Sequence, residues 1–217
     1  MQTDTYSNLV KLIQALIGAG TLTLDEHRNI FQLVNRRLTD AYNTSQSWPR
    51  YLVIGEERTF TTDTQVVPYT QTSKNNIGEF LKIHRQEPYK NLSALEYDFF
   101  ITSDGANVLN VANANDSSVF VTYKKELDLV SITETSPTPV VTDYTDNSTS
   151  IPKEFFYFIA HSVYADFLRI ERRFEQAVQE EVVAQNYLAQ ELEKLDIIAN
   201  NNNLNKKFST HLNRNYR

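Results

Sequence analysis

The sequence predicts an α+β protein: a helical bundle with a long C-terminal helix, an inserted small antiparallel β domain and an extended C-terminal tail. Three observations lead to this prediction. Apolar residues recur at helical spacing near both ends of the chain, they alternate with other residues in its middle, and the last residues are polar and basic. The first two periods are typical of amphipathic helices and of half-buried strands. With 217 residues, the chain is long enough to bury a hydrophobic core.

Two amphipathic helices are predicted within residues 1–50. The first covers 6–17, where leucines and isoleucines fall at helical spacing and the Gly-Ala-Gly that follows ends the helix. The second runs from about 24 to 42. Thr23 and Glu26 form a capping box at its start, because each side chain can satisfy a free backbone N–H of the other residue.

A small antiparallel β domain is predicted over residues 51–130, because period-two segments rich in β-branched and aromatic residues follow one another there. Ser103-Asp104-Gly105 is predicted to be a hairpin turn, since Asp and Gly tolerate the positive φ angles that such turns need. Pro68 and Pro88 restrict their strands to edges or breaks. The segments are 51–54, 60–67, 77–84, 97–102, 108–111 and 119–123, with a further turn over 113–118.

Residues 131–150 are predicted to be a linker or long exposed loop. They are dominated by Ser, Thr, Asp and Pro and show no sustained period. Loops of this length in compact domains are usually functional or become ordered against a partner.

A long C-terminal helix that completes the helical domain is predicted over 151–199. Pro152 suits a first turn, and from 153 to 196 there is neither Gly nor Pro. About 45 residues would span roughly 65 Å. The aromatic first half is expected in the core and the Ala-rich second half between subunits, with a possible bend or break near Arg172-Arg173. The expected subunit-interface residues are Ala177, Ala184, Leu188, Leu192 and Leu195.

Residues 200–217 are predicted to be an extended docking tail, disordered alone and ordered on a partner. The chain carries 21 basic and 27 acidic residues, and the tail holds four of the basic ones and no acid. The remaining chain therefore has 17 basic against 27 acidic residues, or −10. This asymmetry favours docking on another protein over binding DNA, which stays the alternative. The expected contact residues are Leu204, Lys206, Lys207, Phe208, Leu212, Arg214, Tyr216 and Arg217.

No catalytic, cofactor or metal site is predicted. The chain has no Cys, and its four His lie in different segments without the HExxH or GxSxG spacing of metal sites and serine hydrolases. His27 with its acidic neighbours is interpreted as part of a helix start, and His161 as a hydrogen-bonded histidine at the core boundary. The glutamates of the last helix are expected to form ion pairs with Arg169, Arg172 and Arg173. No apolar run approaches the roughly 20 residues that cross a bilayer.

Two stretches carry a family resemblance. Residues 119–125, Val-Phe-Val-Thr-Tyr-Lys-Lys, look like a terminal strand, and residues 151–156, Ile-Pro-Lys-Glu-Phe-Phe, precede recurring alanines at the start of the main helix. Together with the order of elements, they resemble the head-to-tail connector (adaptor) proteins of tailed bacteriophages, the ring proteins below the portal.

The resemblance implies a non-enzymatic virion protein at the head–tail junction, made in the host cytoplasm. The expected assembly is a ring, typically of twelve subunits, with a helical collar and with the C-terminal tail on the portal protein. A tail tube, nozzle or stopper protein would bind below, and DNA would pass through the lumen only as cargo, without membrane or cofactor.

Two alternatives come from other classes of protein. A β-sheet binding module on a helical stalk, in another tail or minor virion protein, predicts ligand-binding aromatic residues clustered on one strand face. The connector instead predicts burial between subunits along residues 156–195. An enzyme is the third and least supported hypothesis.

Overall fold

The computed structural model describes the backbone of residues 2–59, 65–88, 90, 95–108 and 117–212, with side chains as far as 197. The fold is α+β, as predicted. The helices are α1 (Tyr6–Ile17), α2 (Leu24–Asn43), α3 (Thr142–Thr145), α4 (Lys153–Ile170) and α5 (Phe174–Leu212). The strands are β1 (Thr3–Thr5), β2 (Leu52–Thr59), β3 (Val66–Pro68), β4 (Ile77–His84), β5 (Phe99–Thr102), β6 (Gly105–Val108), β7 (Ser118–Lys125) and β8 (Ser150–Pro152).

The chain divides into two compact units. Residues 46–128 form a β unit, and the residues before and after them form a helical unit. The helical unit is therefore discontinuous in sequence, with the β unit inserted between α2 and the later helices.

The predicted ends of the first two helices are confirmed. The Thr5 side chain accepts a hydrogen bond from the backbone N–H of Asn8, and α1 ends at Gly18 in the left-handed region at φ 74°. Thr23 and Glu26 form the predicted reciprocal capping box of α2. Each helix buries one apolar stripe. It includes Leu9, Val10 and Ile13 on α1, and Ile30, Val34 and Leu38 on α2.

The helix predicted over 151–199 is divided into α4 and α5 near Arg172-Arg173, where a bend or break was expected. The prediction that its second half projects is wrong, because the chain reverses there. Arg172 adopts the left-handed region at φ 65°, and the backbone N–H of Arg173 donates to the Leu168 carbonyl at 2.9 Å. The helices α4 and α5 then pack antiparallel: Tyr157 near the start of α4 stacks on Tyr187, far along α5. The reversal buries the alanine face of α5, which a projecting helix would expose to water.

The predicted linker and tail also differ from the structure. Residues 131–150 include α3, whose Tyr144 is buried, and β8 pairs antiparallel with β1. In the tail, α5 continues to Leu212, so residues 200–212 are helical instead of extended. Asn disfavours a helix by less than about 1 kcal/mol per residue, which helix propagation from the preceding turns can offset. Residues 213–217 lie outside the described part.

The β unit contains two three-stranded antiparallel sheets, ordered β2-β7-β4 and β3-β6-β5. The predicted hairpin turn joins β5 to β6. Gly105 there has φ 150°, and an added Cβ would lie 2.1 Å from the Val67 carbonyl oxygen, so this position requires glycine. Pro68 lies on an edge strand, as predicted. The core includes Val67, Ile83, Ala106, Val119, Val121 and Tyr123.

Some predicted β elements can be compared only in part. Of the strand predicted at 108–111, only Val108 is described, and it belongs to β6. The predicted turn over 113–118 and the start of the segment predicted at 60–67 fall largely outside the described residues.

Candidate interaction surface

The α4–α5 hairpin is held together by a row of small and apolar residues on α5. Ala177 and Ala184 are completely buried, and Leu188 is nearly so. A residue buried within its own chain has no surface to offer a neighbour. The prediction that these three residues form a subunit interface is therefore wrong, whereas the predicted Leu192 and Leu195 are half-buried.

One edge of the hairpin exposes large apolar side chains. Phe174, Val178 and Val182 follow one another at four-residue spacing on α5 and are 62%, 60% and 56% exposed. Ile170, at the end of α4, is also exposed. A shallow groove of about 240 Å³ lies along this edge. It is lined by Arg169, Val178, Glu181, Val182, Gln185 and Asn186. We call this surface the groove edge.

A network of ion pairs joins α2, α4 and α5 beside the groove. Arg37 donates to both carboxylate oxygens of Asp166, at 2.8 and 2.7 Å, and to Glu181 at 2.9 Å. Arg169 donates to the same two acids at 2.7 and 3.0 Å, and Arg36 also reaches Asp166. Burial alone would raise the pKa of Asp166, but the hydrogen bonds and charges of these arginines hold it below its ordinary value. The network fixes the three helices against one another.

The other edge of the hairpin carries tyrosines. The rings of Tyr157 and Tyr187 stack with centroids 5.4 Å apart, and Tyr187 also stacks on His161 at 5.3 Å. Nδ1 of His161 lies 2.9 Å from a carboxylate oxygen of Glu180, which agrees with its predicted hydrogen-bonded role at the core boundary. Tyr157 is 47% and Tyr187 37% exposed. We call this surface the tyrosine edge; Val183 belongs to it.

His27 is not part of a ligand cluster with its acidic neighbours. Its side chain is buried and stacks against Tyr144, with ring centroids 6.4 Å apart, whereas Glu26 turns back to cap the helix. Burial lowers the pKa of His27, and the charge of Glu26 only partly opposes this effect. Within the described residues, no group of three His, Asp or Glu side chains could hold a metal ion.

Within the β unit, Arg58 is a buried cation that the sequence did not point to. Arg58 is fully buried, lies 2.9 Å from Glu56, donates to the Tyr123 hydroxyl at 2.9 Å and lies over the Tyr123 ring. A buried arginine with this many partners has a structural role. On the surface of this unit, Leu95, Phe100 and Ile101 are about half exposed.

The predicted docking tail is only partly described. Residues 204–212 belong to the backbone of α5, but none of their side chains is described, and Arg214, Tyr216 and Arg217 lie outside the described residues. The contact roles of all eight residues therefore stay predictions. Through the same described ranges, no helix combines the length and apolar character needed to span a membrane.

Comparison with known proteins found no protein-family model and no curated protein that matches this sequence.

Proposed function

We propose that this chain is a structural virion protein, a head-to-tail connector subunit that assembles into a ring between the portal and the tail of a tailed bacteriophage. The observation that supports this most is a helical unit that is interrupted by a β unit and that leaves apolar side chains exposed on its last two helices. Exposed apolar stripes of this kind mark protein–protein contacts. Residues 119–125 and 151–156 resemble the connector family, and we therefore propose that this contact lies between the subunits of a ring below the portal.

The uneven distribution of charge along the chain is the basis for the proposed partners. Without residues 200–217 the protein carries a net charge of −10, since its 21 basic and 27 acidic residues leave 17 against 27. An acidic subunit around a channel would not hold DNA, which suits DNA as lumen cargo. The four basic residues after position 200 would dock on the portal, and a tail tube, nozzle or stopper protein would bind the opposite side.

The connector proposal is tested by the protein content of purified virions. We expect this chain in them in a fixed ratio to the portal protein, in about as many copies as a ring of twelve requires. Quantitative mass spectrometry of intact virions and of tail-less heads measures that ratio. Absence of the protein from virions would exclude the connector role.

The docking of the C-terminal residues is tested separately. We expect removal of residues 200–217 to leave the fold intact and to abolish the attachment of tails to DNA-filled heads. A full-length variant with Lys206→Gln and Lys207→Gln is the matched control for charge. Electron microscopy of particles counts the attached tails, and normal attachment by the truncated chain would refute the docking role.

A second candidate function is a binding module carried by the β unit. The exposed Leu95, Phe100 and Ile101 favour it, although the aromatic Phe80, Tyr97 and Tyr123 are buried in the core. Replacing Phe100 and Ile101 by Ser distinguishes the two functions. A binding module would lose its partner, whereas a connector subunit would still enter virions in the same ratio to the portal.

A further inference from the structure

The outer edges of the two sheets in the β unit differ in how they are protected. Among the described residues, these edges are β2, β3, β4 and β5. β3 is three residues long and ends at Pro68. β2 and β4 are interrupted by register shifts and carry charged residues, which include Glu57 and Lys82. Bulges, prolines, charges and short length keep other strands from pairing with a sheet edge. These three edges are therefore poor templates for a further strand.

The remaining edge, β5, carries no charge, no proline and no register shift. Its sequence is Phe-Phe-Ile-Thr, and it pairs with β6 without interruption. Phe100 and Ile101 are 48% and 53% exposed, and they lie on opposite faces of the sheet because successive side chains of a strand alternate. Within the described residues, β5 has β6 on one side and no strand on the other. An apolar open edge is a template for pairing with another chain.

The hairpin turn determines which backbone groups face the open side of β5. Thr102 pairs with Gly105, and only two residues lie between them. The closing pair of such a hairpin is hydrogen-bonded, and non-bonded and bonded pairs then alternate. The backbone N–H and C=O of Phe99 and Ile101 therefore point away from β6. The β6 residue opposite Phe99 agrees with this pattern, because its N–H donates at 3.0 Å to the Gln65 carbonyl on the far side of β6.

Neighbouring contacts hold β5 in place. The ring of Phe99 packs on Phe80 in the core of the β unit, with centroids 6.3 Å apart. Just before β5, the Tyr97 N–H donates to the Ile83 carbonyl of β4 at 2.8 Å. A strand that is already in position loses little conformational freedom when a second strand pairs with it.

Two acidic residues flank β5. Asp98 precedes the strand and Asp104 lies in the turn that follows it; both are exposed, and within the described residues neither lies beside a cation. Glu96 differs, because it lies 3.0 Å from Lys82. Opposite charges on neighbouring strands favour pairing, whereas like charges oppose it. A strand with a basic residue near each end therefore fits this edge best.

We propose that the open edge of β5 is a strand-addition site, at which an extended segment of a partner protein becomes the fourth strand of the β3-β6-β5 sheet. The backbone of this segment bonds with the outward groups of Phe99 and Ile101. Its apolar side chains pack beside Phe100 and Ile101, and its basic ends lie near Asp98 and Asp104. The inference does not rest on the proposed ring, and it gives the β unit a partner of defined chemistry.

Hydrogen exchange in the presence of a short peptide tests the site. The probe is the peptide Lys-Val-Thr-Val-Thr-Val-Lys, added to the isotope-labelled full-length chain and followed by nuclear magnetic resonance. We expect the amide exchange of Phe99 and Ile101 to slow by roughly tenfold or more at saturating peptide, because their N–H groups gain acceptors. The Phe100 N–H already bonds to β6, so its exchange should change less. A control peptide with an N-methyl group on every Val and Thr keeps the side chains and charges but lacks these N–H donors, and it should have no effect.

Substitutions in the chain test the backbone and the charges separately. Ile101→Pro removes an outward N–H and no bond to β6, and it should weaken binding of the peptide by roughly tenfold or more. The matched control Ile101→Val keeps the N–H and should change binding by less than about twofold. Asp98→Asn together with Asp104→Asn should abolish the preference for Lys over Glu at the ends of the peptide. Circular dichroism checks that each variant stays folded.

Four outcomes would overturn the inference. Protection of the Phe99 and Ile101 amides in the free, dilute protein would show that the chain closes its own edge. Protection that rises with protein concentration, without peptide, would show that a second copy pairs there. An equal effect of the N-methylated peptide would show that side chains alone bind. No slowing of exchange at any peptide concentration would exclude the site.

Failure of this inference differs from failure of the connector role. Virions that contain the protein in a fixed ratio to the portal, together with an edge that binds no strand, would keep the connector and exclude this site. Binding of the peptide by a protein that is absent from virions would do the reverse.

Discussion

Asp166 is the residue at which three helices meet. It lies on α4, is only 6% exposed, and accepts hydrogen bonds from Arg37 on α2 and from Arg169, which itself bonds Glu181 on α5. A buried ion pair of this kind adds little net stability, because removing its charges from water costs about as much as their attraction gains. Removing one partner is nevertheless costly, since it leaves the other charge buried without a partner. The network therefore acts mainly by fixing the positions of the helices.

Removing Asp166 should be costly. We expect Asp166→Ala to lower the free energy of unfolding by about 3–5 kcal/mol, because Arg37 would be left buried with too few partners. The matched control is Asp40→Ala, which removes the half-exposed carboxylate 3.7 Å from Arg37 and should cost less than about 1 kcal/mol. Urea unfolding measures both, and equal losses would contradict the central role of Asp166.

The pH dependence of this interaction has a defined sign. The folded state holds the pKa of Asp166 below its ordinary 3.8. Its stabilisation is therefore fully present above pH 3.8 and is lost as the pH falls through the lower folded-state pKa.

His27 should make stability depend on pH in a higher range. Burial lowers its pKa below 6.5, so the unfolded chain binds the proton first as the pH falls. We expect the wild-type protein to lose stability from pH 7.5 to 5.5, and His27→Phe, which keeps a ring against Tyr144, to lose less. Urea midpoints at the two pH values measure the difference. An identical loss in the variant would show that His27 does not carry the effect.

At the scale of elements, the close approach of α4 and α5 depends on small side chains. Ala177 and Ala184 have no exposed surface, which lets the two helices pack tightly where larger residues would separate them. The groove edge and the tyrosine edge lie on either side of this buried row, so the packing of the row determines where they lie.

A larger side chain in this row should loosen the hairpin. We expect Ala184→Leu to lower the free energy of unfolding by about 1–3 kcal/mol through overpacking. The control Ala189→Leu adds the same atoms to an exposed position of the same helix and should change stability by about 0.5 kcal/mol or less. Thermal unfolding compares the two variants, and equal midpoints would contradict the tight packing.

Local signals explain which elements were predictable from the sequence. α1, α2 and β4 have the predicted positions, because capping residues, a terminal glycine and a clear period mark them. The reversal between α4 and α5 was predicted only as a possible bend or break, since Glu171-Arg172-Arg173 contains no Gly or Pro and the apolar stripe continues past it. β1 and β8 are three residues each, which is too short for a period.

The candidate site was less predictable than the elements that build it. Arg37 and Asp166 are 129 residues apart in sequence, and nothing local indicates that they meet. The two edges of the hairpin likewise exist only because α5 folds back on α4. If the second half of the helix projected, its alanine face would be free to pack on a neighbouring subunit, which is why Ala177 and Ala184 were predicted to form the interface.

At the scale of the whole molecule, each unit has its own core. Ile83 is fully buried in the β unit, and Leu38 is 1% exposed in the helical unit. Two separate cores in one chain commonly unfold as separate cooperative transitions.

We therefore expect two calorimetric unfolding transitions. Ile83→Ala should lower the midpoint temperature of one transition, and Leu38→Ala should lower that of the other. Each substitution should reduce the free energy of unfolding of its own unit by about 2–5 kcal/mol. Differential scanning calorimetry of the wild type and both variants tests this expectation. A single transition that both variants lower together would show that the two units unfold as one.

The antiparallel pairing of β1 with β8 has a consequence for synthesis. The Gln2 carbonyl accepts a backbone hydrogen bond from Lys153, so this pairing cannot form on the ribosome before Lys153 has been made. Both α1 and α2 pack on α4, so their apolar faces wait for the same part of the chain. The inserted β unit needs no later residue for its core and should fold first. During that interval the apolar faces of α1 and α2 stay open to chaperones and to the same helices of neighbouring nascent chains. The insertion of the β unit thus delays the folding of the helical unit, and pulse proteolysis of stalled nascent chains would detect this delay.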